Sequence, residues 1–286
     1  MSITEKQNKN FNYVDWIRKA IENNFITYYD YNEFKNKKII ENSVGKIFKA
    51  NWNNTNTNLV VKTSYELDVK KIVNELKAQK EVNFHKNILQ IYGISKLDNQ
   101  YSLLLEYADG GSLYSYLKKS FTKLEWDDKY CLASQLANAI DFIHSKGIIH
   151  CNLHEENVLI HKNSIKVADF GFGRRPFYDE GTQYDKSLAT EIVNGKREEI
   201  VEDTPVEYSD IYTACWSDDP DERPSIQIVV SCLKSIIDYS IKFITNEIEN
   251  NDLKYMRDDY DLSIYDNFSK IMIDDNSSLN TFDYNS

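Results

Sequence analysis

His150-Cys151-Asn152-Leu153-His154-Glu155-Glu156-Asn157, running through Val158-Leu159-Ile160 and Ile165-Lys166-Val167-Ala168 to Asp169-Phe170-Gly171, is the stretch on which the fold turns. Val158–Ile160 and Ile165–Ala168 read as two short strands, joined by the turn-prone Lys162-Asn163-Ser164. Immediately upstream, Trp126 to Ser145 places Leu132, Leu136, Ala139, Ile140 and Ile143 on one face of a helix, and Gly147 stops it.

Further upstream, beyond Gly110-Gly111, the pattern changes to short strands at Lys46–Ala50, Leu59–Lys62, Ile91–Lys96 and Ser102–Glu106. Leu67 to Lys80 reads as a helix with Ile72, Val73 and Leu76 facing inward. Near the start, Trp16, Ile17, Ala20 and Ile21 form a stripe at helical spacing, expected to pack on the domain that follows. Downstream, Asp203 to Ile237 is helical again, punctuated by Pro220 and Pro224. Strands first and helices after describe an α+β architecture in two parts.

Composition bounds the function. The 286 residues are 41% hydrophobic and 28% charged, ordinary for a folded chain with a sizeable core. A net charge of −11 argues against nucleic acid as a partner, since phosphates need Lys and Arg to neutralise them. No apolar run approaches bilayer length and no secretory leader opens the chain, so no membrane association is expected. Cys131, Cys151, Cys215 and Cys232 are scattered without metal-ligand spacing, which suits a reduced cytoplasmic setting. From Asn246 to Ser286 ten acidic side chains face three basic ones, and the stretch shows no period. It reads as a largely disordered tail.

The order of local motifs carries the function. Leu59-Val60-Val61-Lys62 is a strand ending in a lysine, Glu75 follows on a helix, and Leu104-Leu105-Glu106-Tyr107-Ala108 is an apolar strand running into a connector. With the loop from His150 to Asn157 and with Asp169-Phe170-Gly171, these pieces resemble the protein kinase family over roughly Lys38 to Ile237. The resemblance implies a two-lobed kinase-like fold with ATP and Mg²⁺ as cofactors. It implies that Lys62, paired with Glu75, contacts the α/β-phosphates, while Asn157 and Asp169 offer oxygens to the metal. Leu105 takes the gatekeeper position, and the backbone of Glu106 and Ala108 faces the adenine edge. The domains expected are an N-terminal helical extension (1–37), an upper lobe of five strands and one helix (38–108), a truncated, mainly helical lower lobe (109–237) and the tail (238–286).

The chain also departs from the family. Where the glycine-rich loop has three glycines, Ile40-Glu41-Asn42-Ser43-Val44-Gly45 keeps the last alone. Asn152 stands where the family's catalytic aspartate accepts the substrate hydroxyl's proton. An amide orients a hydroxyl but has no basic oxygen, and loss of a general base typically costs roughly 10²–10⁴ in rate. Cys151 replaces an arginine, and His154 stands where many Ser/Thr kinases carry a lysine. Ala214-Cys215-Trp216 through Arg223-Pro224 resembles a late family stretch but begins too soon, only 54 positions separating Asp169 from Arg223. The activation segment and the central helix of the lower lobe are missing from that interval, through deletion or a skipped exon, and Arg223 loses its usual partner.

The expectation is therefore a pseudokinase-like domain that binds ATP, with phosphoryl transfer to protein substrates impaired or lost. A weakly active protein kinase is the alternative, and a non-catalytic module for an unknown protein partner is a third reading.

Overall fold

The computed structural model describes residues 12–41, 46–52, 57–63, 69–98, 100–169, 190–192 and 194–250. Gly45 and its neighbours Asn42–Val44, the Phe170-Gly171 pair, the segment that follows it and the chain beyond Asn250 lie outside them. The chain divides into two units, Met1–Ile237 and Asp238–Ser286, and the first holds the sheet and the loops around it.

Helix α1 (Tyr13–Glu22) is capped by Asn12, whose side chain accepts from the Asp15 N–H at 3.1 Å. It leads into β1 (Tyr28–Asp30), β2 (Phe34–Glu41), β3 (Lys46–Trp52) and β4 (Asn58–Thr63). Helix α2 (Val69–Val82) precedes β5 (Ile91–Leu97) and β6 (Gln100–Glu106). These strands form one sheet in the order β1-β5-β6-β4-β3-β2, antiparallel except for the β1–β5 pair. The expected five strands thus gain a sixth, and the boundary expected at Lys38 falls inside β2. The sheet takes in the chain from Tyr28 because β1 satisfies its backbone against β5, with Tyr28 opposite Ile94.

The two faces of the sheet are packed separately. Ile72, Val73 and Leu76 of α2 meet Ile94, Leu103 and Leu105 on one face, together with Ile17 and Ala20 of α1. Phe34, Phe48, Ala50, Leu59, Val61 and Leu104 fill the other. The α2 face read from sequence is therefore the buried one, as is the α1 stripe.

Below the sheet come β7 (Gly111–Ser112), α3 (Leu113–Ser120), α4 (Trp126–Ser145), β8 (Val158–His161), β9 (Ser164–Val167), α5 (Val206–Cys215) and α6 (Ile226–Asn250). Ala139 and Ile143 of α4 are fully buried against Val158, Ile160, Ile165 and Val167. Each large side chain so buried stabilises by roughly 1.5–3 kcal/mol. Gly147 ends α4 at φ +69, the left-handed residue its position demands. Lys162 and Asn163, at φ +48 and +60, make the tight turn between β8 and β9.

Gln135 stitches these layers together. Its Oε1 accepts from Ile165 N at 2.8 Å and from Asn87 Nδ2 at 3.1 Å, while Asn87 Nδ2 also donates to Ile165 O at 3.0 Å. All of these groups are buried. Gln135→Leu keeps the volume but orphans the donors, and a loss of about 2 kcal/mol in urea unfolding is expected. No measurable loss would mean that water replaces the amide.

The shortened lower lobe holds its last helices by other means. Trp126, Tyr130, Tyr208, Tyr212 and Trp216 form a run of ring contacts with centroids 5.1–5.8 Å apart, fixing α5 to the start of α4. Gln227 donates to Asp141 at 2.6 Å, and Leu233 and Ile237 are buried. Between α5 and α6 an open groove of about 410 Å³ is lined by Ile211, Ala214, Ile228 and Val229 among others. Arg223 is exposed and donates to Ser217 O at 2.8 Å, so its loss of a family partner leaves no buried charge. Helix α6 runs to Asn250, and the rest of the tail expected from residue 238 lies outside the described residues. No Gly or Pro interrupts the chain after Pro224, and helix propagation needs no further nucleus.

Candidate functional site

Lys62 sits near the end of β4, a central strand flanked by β3 and β6, with Leu103 opposite it. Alternation along the strand buries Val61 on one face and turns Lys62 to the other. There its Nζ meets Asp169 Oδ1 at 2.6 Å. The second oxygen, Oδ2, accepts from Asn152 Nδ2 at 3.4 Å. One carboxylate thus holds Asn152 and, from 107 positions away in the chain, Lys62.

Glu75, on α2, is 8% exposed beside this pair. Burial pushes its carboxyl up to about 7, Lys62 acts to lower it, and the Asp169 charge raises it further. Lys62 closes on Asp169 rather than on Glu75, and its hold on Glu75 is Coulombic.

The loop before β8 is fixed by its own polar groups. His150 is 4% exposed, its Nε2 bonded to Ala168 O at 3.0 Å, and its Nδ1 accepts from Asn152 N at 3.3 Å. Burial lowers its pKa, favouring the neutral ring that this donor–acceptor pattern requires. Asn157 Nδ2 donates to Asn152 O at 2.9 Å and lies 2.8 Å from His154 Nε2. Ala168 N donates to Asn157 O at 2.9 Å, tying the loop to the residue before Asp169. Cys151 and Asp169 adopt φ +62 and +60, left-handed conformations unusual for non-glycine residues, so strain is stored on both sides of the cluster.

The connector after β6 is anchored from behind. Glu106 N donates to Gln90 O at 2.9 Å, and Glu106 Oε2 takes Lys166 Nζ at 3.0 Å and Gln90 N at 3.3 Å. His161 Nδ1 lies 3.2 Å from Asp109 Oδ1, and its Nε2 lies 3.9 Å from Glu106 Oε1. Asp109 also accepts from Lys162 N at 2.9 Å, and that bond holds its carboxyl below its ordinary range. Gly110 N donates to Ile160 O at 2.8 Å, and a Cβ there would meet Ile160 Cγ2 at 2.7 Å. Glycine is required by that approach.

Of the residues singled out from sequence, Lys62, Glu75, Asn152, Asn157 and Asp169 come together in one cluster. Leu105 is buried against α2, with Glu106 and Ala108 following it at the connector. Ile40 is 40% exposed on β2, and Gly45 is outside the described residues. Sequence reading missed Lys166, His161 and Asp109. The one signal was a lysine alternating with Ile165 and Val167 on a strand. Asp169 and Asn157 are hard oxygen donors of the kind Mg²⁺ takes, and a cation beside them would be balanced by carboxylate charge. Among the described residues no three His, Cys, Asp or Glu side chains cluster as a metal site, and no helix is long and apolar enough to cross a membrane.

The family described as protein tyrosine and serine/threonine kinase matches residues 34–193. The chain is 25% identical over 251 residues to "RGS domain-containing serine/threonine-protein kinase A" of Dictyostelium discoideum, covering 70% of this chain and 22% of that protein. It is 24% identical over 265 residues to "Mitogen-activated protein kinase kinase kinase 7" of Bos taurus, covering 73% and 45%. Over a shorter stretch of 110 residues it is 39% identical to "Serine/threonine-protein kinase ULK1" of Homo sapiens, covering 35% and 10%. The chain therefore spans less than half the length of these curated relatives. Seventy per cent of 286 is about 200, so about 50 of the 251 aligned positions fall where this chain has no residue. That shortfall agrees with the short interval between Asp169 and Arg223.

Proposed function

The chain belongs to the protein tyrosine and serine/threonine kinase family, and on that premise we propose that it is an ATP-binding kinase-like domain in which phosphoryl transfer to protein substrates is impaired or lost. One observation carries the reading. Asn152 stands at the position of the family's base and presents an amide N–H to Asp169. A group donating to the carboxylate beside it has no basic oxygen for a substrate hydroxyl, and orientation is what it can offer.

The rest of the cluster supports nucleotide binding. Lys62 would meet the phosphates as a point charge, and Asp169 and Asn157 would hold Mg²⁺. The bound ion would supply charge neutralisation at the phosphate oxygens. Leu105 would close the back of the base pocket, with the Glu106 and Ala108 backbone along its edge. The pairing of Lys62 with Asp169 keeps both charges partnered until a nucleotide replaces it, so the site needs little rearrangement to receive one.

The test is thermal unfolding of the full chain with and without ATP and Mg²⁺. Ligand at about 100 times its dissociation constant should add about 2.7 kcal/mol, and Lys62→Ala should abolish the shift. An unmoved wild-type transition would favour the reading as an interaction module. Transfer of phosphate to protein by the wild type, lost in Lys62→Ala, would make it an active kinase and overturn the impairment.

A further inference from the structure

Residues 12–33 precede the family match, which begins at residue 34, yet they are built into the upper lobe. Ile17 is fully buried and Ala20 is 7% exposed, in one core with Ile72, Val73 and Leu76 of α2. At the edges of this contact Lys77 of α2 lies over the Trp16 ring at 5.3 Å and Lys80 over the Phe25 ring at 4.0 Å. The two rings meet edge to face at 5.9 Å. Both cations are thereby attracted to the ring faces and tie α2 to the extension.

A second observation shows that β5 is shaped for the same segment. Ile94 N donates to Thr27 O at 3.0 Å. A Cβ on Gly93 would stand 2.1 Å from Thr27 O and 2.9 Å from Tyr29 Cε2. Gly93 is not in the left-handed region, so its conformation does not call for glycine. The close approach of the extension does.

We propose that Ile17 and Gly93 are positioning residues, through which the N-terminal extension clamps α2 and sets the place of Glu75 beside Lys62. The mechanism is rigid. Ile72 and Leu76 lie three positions before and one after Glu75 on a single helix, so a clamp on their face fixes the direction of the carboxylate. Without α1 the inward face of α2 loses a partner that covers it along its outer side, and the helix is free to roll. The inference does not depend on whether phosphoryl transfer survives.

The experiment uses the full chain with Gly93→Ala and, separately, Ile17→Ala. Amide exchange across Ile72–Ala78 should accelerate by about tenfold or more, while amides at Ala139–Ile143 of α4 keep the wild-type rate. Affinity for ADP should fall by about tenfold with adenosine affinity unchanged, because Glu75 acts on the phosphate end through Lys62. Ile17→Ala removes three carbons and introduces no backbone clash, and it decides the matter if Gly93→Ala does not fold. Equal acceleration in α2 and α4, or unchanged α2 exchange in a variant that melts at lower temperature, would overturn the proposal. Either result would mean that the extension only adds stability. The nucleotide comparison rests on the ATP-binding reading. A wild type that binds neither ADP nor adenosine defeats that reading, and the exchange rates alone then uphold or overturn the clamp.

Discussion

Above pH 7, Glu75→Gln should stabilise the chain by about 3 kcal/mol relative to the wild type. The carboxyl is raised from 4.5 to about 7, so the folded state holds this proton more tightly than the unfolded state. The protonated group's contribution is fully present below about pH 4.5. It declines as the unfolded chain releases its proton, and is lost once pH passes about 7 and the folded group ionises too. The interval from 4.5 to about 7 corresponds to about 3 kcal/mol at 1.36 kcal/mol per pKa unit. Gln cannot ionise, so its stability should not show that decline. Urea unfolding from pH 4 to 9 checks it: the two curves should diverge between about pH 4.5 and 7 and run parallel beyond. Parallel curves throughout would mean that Glu75 is ionised when folded, with Lys62 offsetting its burial.

Lys166→Met should cost about 3 kcal/mol. The side chains of Lys166 and Glu106 are 12% and 13% exposed at a separation of 3.0 Å. Removing one partner of a pair so buried leaves the other charge uncompensated, which typically costs about 3–5 kcal/mol, and the residual bond from Gln90 N keeps the loss near the lower figure. Lys166→Met with Glu106→Gln should recover much of it, because the orphaned charge is gone. A coupling of about 2 kcal/mol from the four-way urea-unfolding cycle is expected. Strict additivity would show that the pair contributes nothing beyond its separate packing. The connector reached by Glu106 is the edge we propose for adenine, so the same variants report on how firmly that edge is held.

Much of the architecture could be read from local pattern. The strands at residues 46–52, 58–63, 91–97 and 100–106, the helix stripes of α2 and α4 and the hairpin at Lys162-Asn163 all announce themselves by period or turn chemistry. β1 does not. Tyr28-Tyr29-Asp30 is too short to alternate, and its partner lies far along the chain, so nothing local signals a parallel pairing. The extension of α6 past Asp238 was hidden by polar composition, which tracks solvation better than helicity. At the site, the order of motifs brought Lys62, Asp169, Asn152 and Asn157 into one group. The pairing of Lys62 with Asp169 at the expense of Glu75 depends on how α2 sits over the sheet, a tertiary matter. Lys166 and His161 escaped notice because a single lysine or histidine at the end of a strand usually faces water, and only the fold places Glu106 and Asp109 behind them.

The pairing of β1 with β5 also sets a timetable for synthesis. Tyr28 meets Ile94 only after 66 further residues, Ile94 included, have been made. At about 5–20 residues per second that interval lasts roughly 3–13 seconds. Until it ends, the apolar stripe of α1 lacks the β5 strand that completes its core. Helix α1 thus emerges ahead of β5 yet docks only once β5 is made, and nascent chains stalled before Ile94 would carry Trp16 and Ile17 without that cover, as a handle for holding chaperones.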